Sequence, residues 1–95
     1  MSTSWQIIVA DRGWVYLGKP IRSGDHLIIN DCYNVMRWGT TSGLGELALE
    51  GPKEGTKLDW YGVVTVHVLA VVGGTIECDD AIWNAWFTKQ KRDRK

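Results

Sequence analysis

The run Gly62-Val63-Val64-Thr65-Val66-His67-Val68-Leu69-Ala70-Val71-Val72 constrains the fold of this chain more than any other segment. β-Branched side chains dominate it, and these lose rotamer freedom in a helix but pack well on a pleated surface. The run predicts a strand with Val64, Val66 and Val68 on one face and Val63, Thr65 and His67 on the other. A strand this apolar needs neighbours, and the rest of the sequence supplies them in short pieces between turn signals. Residues 5–10 and 14–17 read as a hairpin around Asp11-Arg12-Gly13. Gly18-Lys19-Pro20 interrupts the second arm, which 21–22 extends past a bulge. After the turn Ser23-Gly24-Asp25 come strands at 26–30 and 33–38, separated by a bend at Asn30-Asp31. Gly73-Gly74 turns the chain into a last short strand at 75–78.

Two segments have helical character. Residues 44–49 place Leu44, Leu47 and Ala48 on one side, with Ser42 as N-cap and Gly51-Pro52 as the stop. A polar loop is expected at 53–57. Asp79-Asp80 caps a C-terminal helix with an apolar stripe of Ile82, Trp83, Trp86 and Phe87. Together these elements predict a mainly β, α+β fold. It is a small, strongly bent antiparallel sheet or open barrel with a short internal helix and a C-terminal helix. Residues 1–95 form a single domain, ending in a basic helical or frayed tail at 89–95.

Six tryptophans in 95 residues give so short a chain enough bulk for a core. Residues 1–88 carry six basic and ten acidic side chains, whereas 89–95 carry five basic and one acidic. That distribution disfavours a nucleic-acid binder, which spreads basic groups over a folded face. The tail suits the end of a helix, where cations meet the negative pole of the dipole. The opening Met1-Ser2-Thr3-Ser4 is neither basic nor followed by a long apolar stretch, so no signal peptide is expected, and no run is long enough for a membrane span. The expectation is a cytoplasmic protein in which Cys32 and Cys78 are free thiols. The aromatic stripe needs a partner surface, either the protein's own sheet or another subunit, and a small sheet has edges that invite pairing. Both point to a homo-oligomer with Ile82, Trp83, Trp86 and Phe87 at its interface.

The chemistry concentrates in Arg37-Trp38-Gly39-Thr40-Thr41-Ser42-Gly43-Leu44-Gly45-Glu46-Leu47. Glycines allow backbone N–H groups to converge on an anion. Arg37 offers a planar fork for phosphate, and Trp38 a face for a base. Arg37, Trp38, Gly39, Thr40, Thr41, Ser42, Gly43 and Gly45 are therefore the candidate ligand-binding residues. A structural alternative stands beside this: turn geometry for the glycines, capping for the hydroxyls, burial for Trp38, and an ion pair of Arg37 with Glu46 or Asp59. The segment is not a P-loop, for it lacks the Gly-Lys-Ser/Thr ending, and no βαβ unit surrounds it.

The segment Val9-Ala10-Asp11-Arg12-Gly13-Trp14-Val15-Tyr16, the motif from Arg37 to Ala48, Gly51-Pro52, Thr56-Lys57-Leu58-Asp59 and Cys78-Asp79-Asp80 through Trp83 resemble short proteins encoded by bacteriophages and prophages. The resemblance covers most of the chain apart from 86–95, and the sequence departs from it at Trp60-Tyr61. It implies a phage accessory protein made in the bacterial cytoplasm and supplies no catalytic or binding residues.

Other chemistries find little support. His26, His67, Cys32 and Cys78 lack the close spacing of a zinc site. Neither cysteine has a catalytic signature, and Ser42 is not in a nucleophile elbow. A phosphodiesterase-like site of His67 and Glu46, or base stacking on Trp14, Tyr16, Trp38 and Trp60, are the remaining alternatives. No cofactor or metal is implied. The expected function is non-enzymatic: an accessory protein that counters host defence by sequestering a nucleotide-derived immune signal. A protein-binding inhibitor or adaptor that docks its aromatic helix on a host protein is the alternative.

Overall fold

A computed structural model describes residues 4–38 and 43–93. The fold is mainly β. Five strands, β1 (Gln6–Val9), β2 (Val15–Ser23), β3 (His26–Arg37), β4 (Lys57–His67) and β5 (Gly74–Glu77), are joined by helix α1 (Leu44–Glu50) and followed by α2 (Asp80–Asp93). All pairings are antiparallel, in the order β4-β3-β2-β1-β5. The first four strands thus form a meander, and the fifth returns to pair with the first. The sheet is unclosed.

Alternation decides which side chains enter which core. On one face Trp5, Ile7, Val15, Leu17 and Val35 are buried beneath Leu47 and Ala48 of α1 and Trp83 of α2. On the other, Ile8, Ala10, Tyr16, Ile29 and Cys32 form a second cluster, with Leu27, Val64, Val66 and Val71 packed against it. A flat sheet of this size would leave that second face open. Bends in the long hairpin β3–β4 close it instead. Asp31, at φ 49, breaks the register of β3, and Gly62, at φ 85, does the same in β4, where it pairs with the next residue, Cys32. Both conformations lie in the left-handed region that Gly, Asn and Asp tolerate best.

The third bend is at Gly18, where the β2–β3 register shifts between Leu17 and Lys19. A Cβ on this residue would lie 2.4 Å from Ile29 Cγ2 and 2.8 Å from the Asn30 carbonyl oxygen. Glycine is required here for close approach, since its φ is ordinary. Hydrogen there lets Ile29, fully buried, lie across β2 and join the second cluster.

Several boundaries differ from the sequence reading for identifiable reasons. The strands expected at 26–30 and 33–38 are one strand, because the bend at Asp31 redirects the ladder without ending it. β4 begins at Lys57, inside the expected polar loop, and ends at His67. The apolar residues beyond it form one helical turn, Val68–Ala70, and then cross the end of the sheet toward β5. Of these, Val71 packs against the second cluster, whereas Leu69 and Val72 are exposed. The N-cap of α1 is Gly43, and Ser42 lies outside the described residues. Gly51 ends α1 at φ 81, its N–H donating to the Leu47 carbonyl at 3.0 Å. At α2, Asp79 Oδ1 accepts from the Ile82 N–H at 3.3 Å, as a cap should. Asp80 instead accepts from the Trp5 N–H at 2.7 Å and ties the helix to the start of the chain.

Among the described residues no helix is long and apolar enough to cross a membrane. The contact at Gly18 is testable. Gly18→Ala should lower unfolding stability by about 1–3 kcal/mol, the usual cost of overpacking, read from urea midpoints. Gly13→Ala meets no atom within 4 Å and is strained only through its φ of 81. It should leave the packing around Ile29 unchanged.

Candidate functional site

The residues of the glycine motif do not converge on one described site. Arg37 ends β3, exposed and in register with Lys57. Among the described residues it makes no ion pair with Glu46 or Asp59. Trp38 is 43% exposed, so it is not a core anchor, and its carbonyl accepts from Thr56 Oγ1 at 2.5 Å. Gly43 stands at the start of α1, where a Cβ would come 4.0 Å from Trp38 Cζ3, and Gly45 lies within the helix with nothing within 4 Å of the position its Cβ would take. Gly39, Thr40, Thr41 and Ser42 lie outside the described residues.

A groove beside this motif has the properties that the motif was expected to supply. It has a volume of about 710 Å³ and runs between α2, the β3–β4 hairpin and the segment from Pro52 to Lys57. A nucleotide-sized ligand fits such a volume. Its aromatic surface is a connected series. Trp60 meets Tyr33 edge-on at 5.0 Å, Tyr33 stacks on Phe87 at 4.9 Å, and Phe87 stacks on Trp5 at 4.6 Å. Trp86 stands edge-on to Phe87 at 5.0 Å. These contacts fix the rings in place before any ligand arrives. Trp5 is held further by its indole N–H, which donates to Asn84 Oδ1 at 2.7 Å. Trp60 is 55% exposed and offers a free face.

Three lysines and one carboxylate, Asp31, also line the groove. Lys19 Nζ lies 4.8 Å from the centroid of the Trp5 ring, a cation–π contact. Lys53 pairs with Glu50 at 3.1 Å. Both side chains are exposed, so the pair holds Lys53 only weakly. Lys57 has no carboxylate partner among the described residues. Thr56 joins the groove to the motif through its bond to Trp38, and Lys57 does so through its register with Arg37.

The aromatic stripe of α2 finds its partner surface within the chain. Trp83 is fully buried, its indole N–H donating to the Ala48 carbonyl at 3.0 Å. Phe87 is half-buried against the first core, Trp86 is half-buried against Trp83 and Phe87 of its own helix, and both line the groove. Ile82, 39% exposed, lies over Gly51, where a Cβ would come within 2.7 Å of its Cγ2. Trp83 and Phe87 are thus accounted for by packing inside one chain, while Ile82 keeps an exposed face.

The other candidate groups are dispersed. His26 and His67 face each other across β3 and β4 with ring centroids 5.4 Å apart. His67 Nδ1 accepts from the Leu69 N–H at 3.1 Å. This pair is at the opposite end of the hairpin from Arg37 and the segment leading into α1, so His67 and Glu46 are not brought together. Among the described residues no three His, Cys, Asp or Glu side chains gather as a metal-binding group. Cys32 and Cys78 are both free, one in the second cluster and the other packed against the first.

No protein-family model, curated protein or solved structure matches the chain. The groove was not apparent from the sequence because its lysines belong to β2 and to a segment that reads as a solvated loop. One signal was present. Trp60 falls on the same face of β4 as Leu58, toward α2, and opposite Tyr33.

Burial pushes the thiols of Cys32 and Cys78 up from 9.0 to about 12, with the charge of Asp80 adding to the effect at Cys78. Burial, and then the neighbouring Cys32, raises Tyr16 as well. An unfolded chain releases these protons at lower pH than the folded one. The stability they contribute is complete below about pH 9 and is lost as pH rises toward 12. Urea midpoints should fall across that window, and less steeply in the Cys32→Ala, Cys78→Ala double variant.

Proposed function

We propose that the protein is a non-catalytic binder of an anionic, planar small molecule of nucleotide size, held in the groove between α2 and the β3–β4 hairpin. The observation that carries this reading is the combination of three lysines with a fixed aromatic surface in one groove of about 710 Å³. Stacking on Trp60 holds a ring system largely regardless of its identity. Ammonium groups hold phosphate through charge-assisted hydrogen bonds, which are about twice as strong as neutral ones. Neither feature alone is informative, because exposed lysines and aromatic residues are common on surfaces.

The resemblance to phage accessory proteins gives this binding a purpose: sequestration of a nucleotide-derived signal made by a host defence system in the bacterial cytoplasm. Sequestration requires tight binding without turnover. The alternative reading, an adaptor that docks its aromatic helix on a host protein, loses its main support because Trp83 and Phe87 are engaged with the chain's own sheet. A homo-oligomer remains compatible with sequestration and would rest on the open edge of β4 or on Ile82.

Isothermal titration against nucleoside diphosphates, cyclic dinucleotides and ADP-ribose derivatives tests the reading. Binding at micromolar concentration or tighter is expected for at least one of them. Lys57→Ala should weaken it by about 10- to 100-fold, in line with the loss of one charged hydrogen bond, at an unchanged melting temperature. Trp60→Ala should weaken it similarly. Arg37→Ala gives the contribution of the neighbouring motif, since its side chain has no ion pair to lose among the described residues. Absence of binding to every compound would refute the proposal.

A further inference from the structure

We propose that Asp31 sets the specificity of this groove by accepting two N–H donors from the ligand's ring, so that the groove prefers guanine over adenine. The inference rests on the nucleotide reading above and makes it more specific. Asp31 is the carboxylate among the groove's lining residues, and it has no hydrogen-bond or ion-pair partner among the described residues. In a groove that attracts anions through lysines, a carboxylate opposes binding of phosphate and is useful only against a donor.

The register of the hairpin sets the order of these groups. Lys57 pairs with the Arg37 end of β3, and Trp60 lies opposite Tyr33, two residues from Asp31. At the usual strand rise, about 10 Å separate Lys57 from Trp60, and Asp31 lies about 7 Å farther on. Along β4 and β3 the order is therefore Lys57, the Trp60 face, then Asp31, with Lys19 of β2 opposite Asn30 at the Asp31 end and its ammonium turned over the Trp5 ring. A nucleotide has the same order of phosphate, sugar and base, with the base edge farthest from the phosphate.

An ionised carboxylate accepts hydrogen bonds and donates none. Its two oxygens match two adjacent N–H donors, which guanine presents at N1 and at its 2-amino group. Adenine presents one amino group beside an unprotonated ring nitrogen, and that nitrogen would face a carboxylate oxygen. Hypoxanthine keeps the N1 donor and lacks the amino group. Asp31 is exposed in the free chain, and a ligand that covers it without offering a donor strips its carboxylate of water and leaves it unpaired, a cost that apolar contact alone does not impose.

The backbone of Asp31 has its own requirement, a φ of 49 at the bend of β3. Asparagine tolerates that conformation as aspartate does, and glycine tolerates it better. Asp31→Asn and Asp31→Gly therefore remove the carboxylate while keeping the bend, and thermal melting of each variant verifies that the fold is retained.

The test is titration of the full chain with GDP, IDP and ADP under one set of conditions. GDP should bind the unmodified chain at least 10-fold tighter than ADP, with IDP between them. Both variants should lose that preference through weaker GDP binding, with ADP binding unchanged or improved. If GDP and ADP bind the unmodified chain equally, or if both variants keep the preference, the role of Asp31 is overturned and the groove reading stands. If the variants lose GDP and ADP affinity equally, Asp31 contacts the sugar and the base-edge assignment is overturned. If none of the three diphosphates binds, the specificity assignment falls, and the broader panel above decides the groove reading.

Discussion

The Ala48 carbonyl at the last turn of α1 accepts two hydrogen bonds, from the Asp79 N–H at 2.9 Å and from the Trp83 indole at 3.0 Å. Late carbonyls of a helix have no partner within it, and burial would leave this one at a cost. Here α2 supplies both donors, so the two helices are joined at one oxygen over the first core. Trp83 is the largest fully buried side chain, and its indole N–H is satisfied where no water reaches. This junction sets the position of α2 against the sheet. The groove follows from it, because Asn84, Trp86, Phe87 and Thr88 form its helical wall. A shift of α2 by one residue would remove the Phe87 stack on Tyr33 and Trp5.

The parts of the fold that depend on alternation were legible in the sequence. Val63, Thr65 and His67 are exposed and Val64 and Val66 half-buried, in the pattern that their spacing implies. α1 and its stop at Gly51-Pro52 were legible too, since an apolar face and a left-handed terminal glycine are local signals. The bends were harder to read. Asp31 and Gly62 redirect a hairpin only because each lies opposite the other's strand, and a single sequence does not show which residues will face each other across a ladder. The apolar run beyond His67 misleads for a related reason. β-Branched composition marks it as a strand, yet it turns off the ladder at His67 and leaves Leu69 and Val72 exposed, with Val71 alone against the second cluster.

The candidate site shows the same division. Arg37 and Trp38 are conspicuous because they are adjacent in sequence, yet they end a strand on the surface. The groove draws on Lys19, Asp31, Lys57, Trp60 and Phe87, which come from four strands and helices and share no local pattern. Their chemistry appears only when β3 and β4 are in register and α2 is seated on them. The aromatic stripe of α2 was read correctly as a surface in need of a partner. Trp83 and Phe87 find that partner in the core of the same chain, and Ile82 stays exposed.

The first strand is held by the last parts of the chain. β1 pairs with β5 from Gln6 with Glu77 to Val9 with Gly74, and Trp5 bonds to both Asp80 and Asn84. During synthesis β1 emerges first, and the meander β1–β4 assembles with Trp5, Ile7 and Val15 still lacking α2 above them. Those side chains stay uncovered until α2 has been made and has left the ribosome. With so many contacts distant in sequence, folding is slow compared with that of a helical domain of equal length. The interval exposes tryptophan and isoleucine to other nascent chains, and expression yield will depend on how quickly synthesis reaches α2.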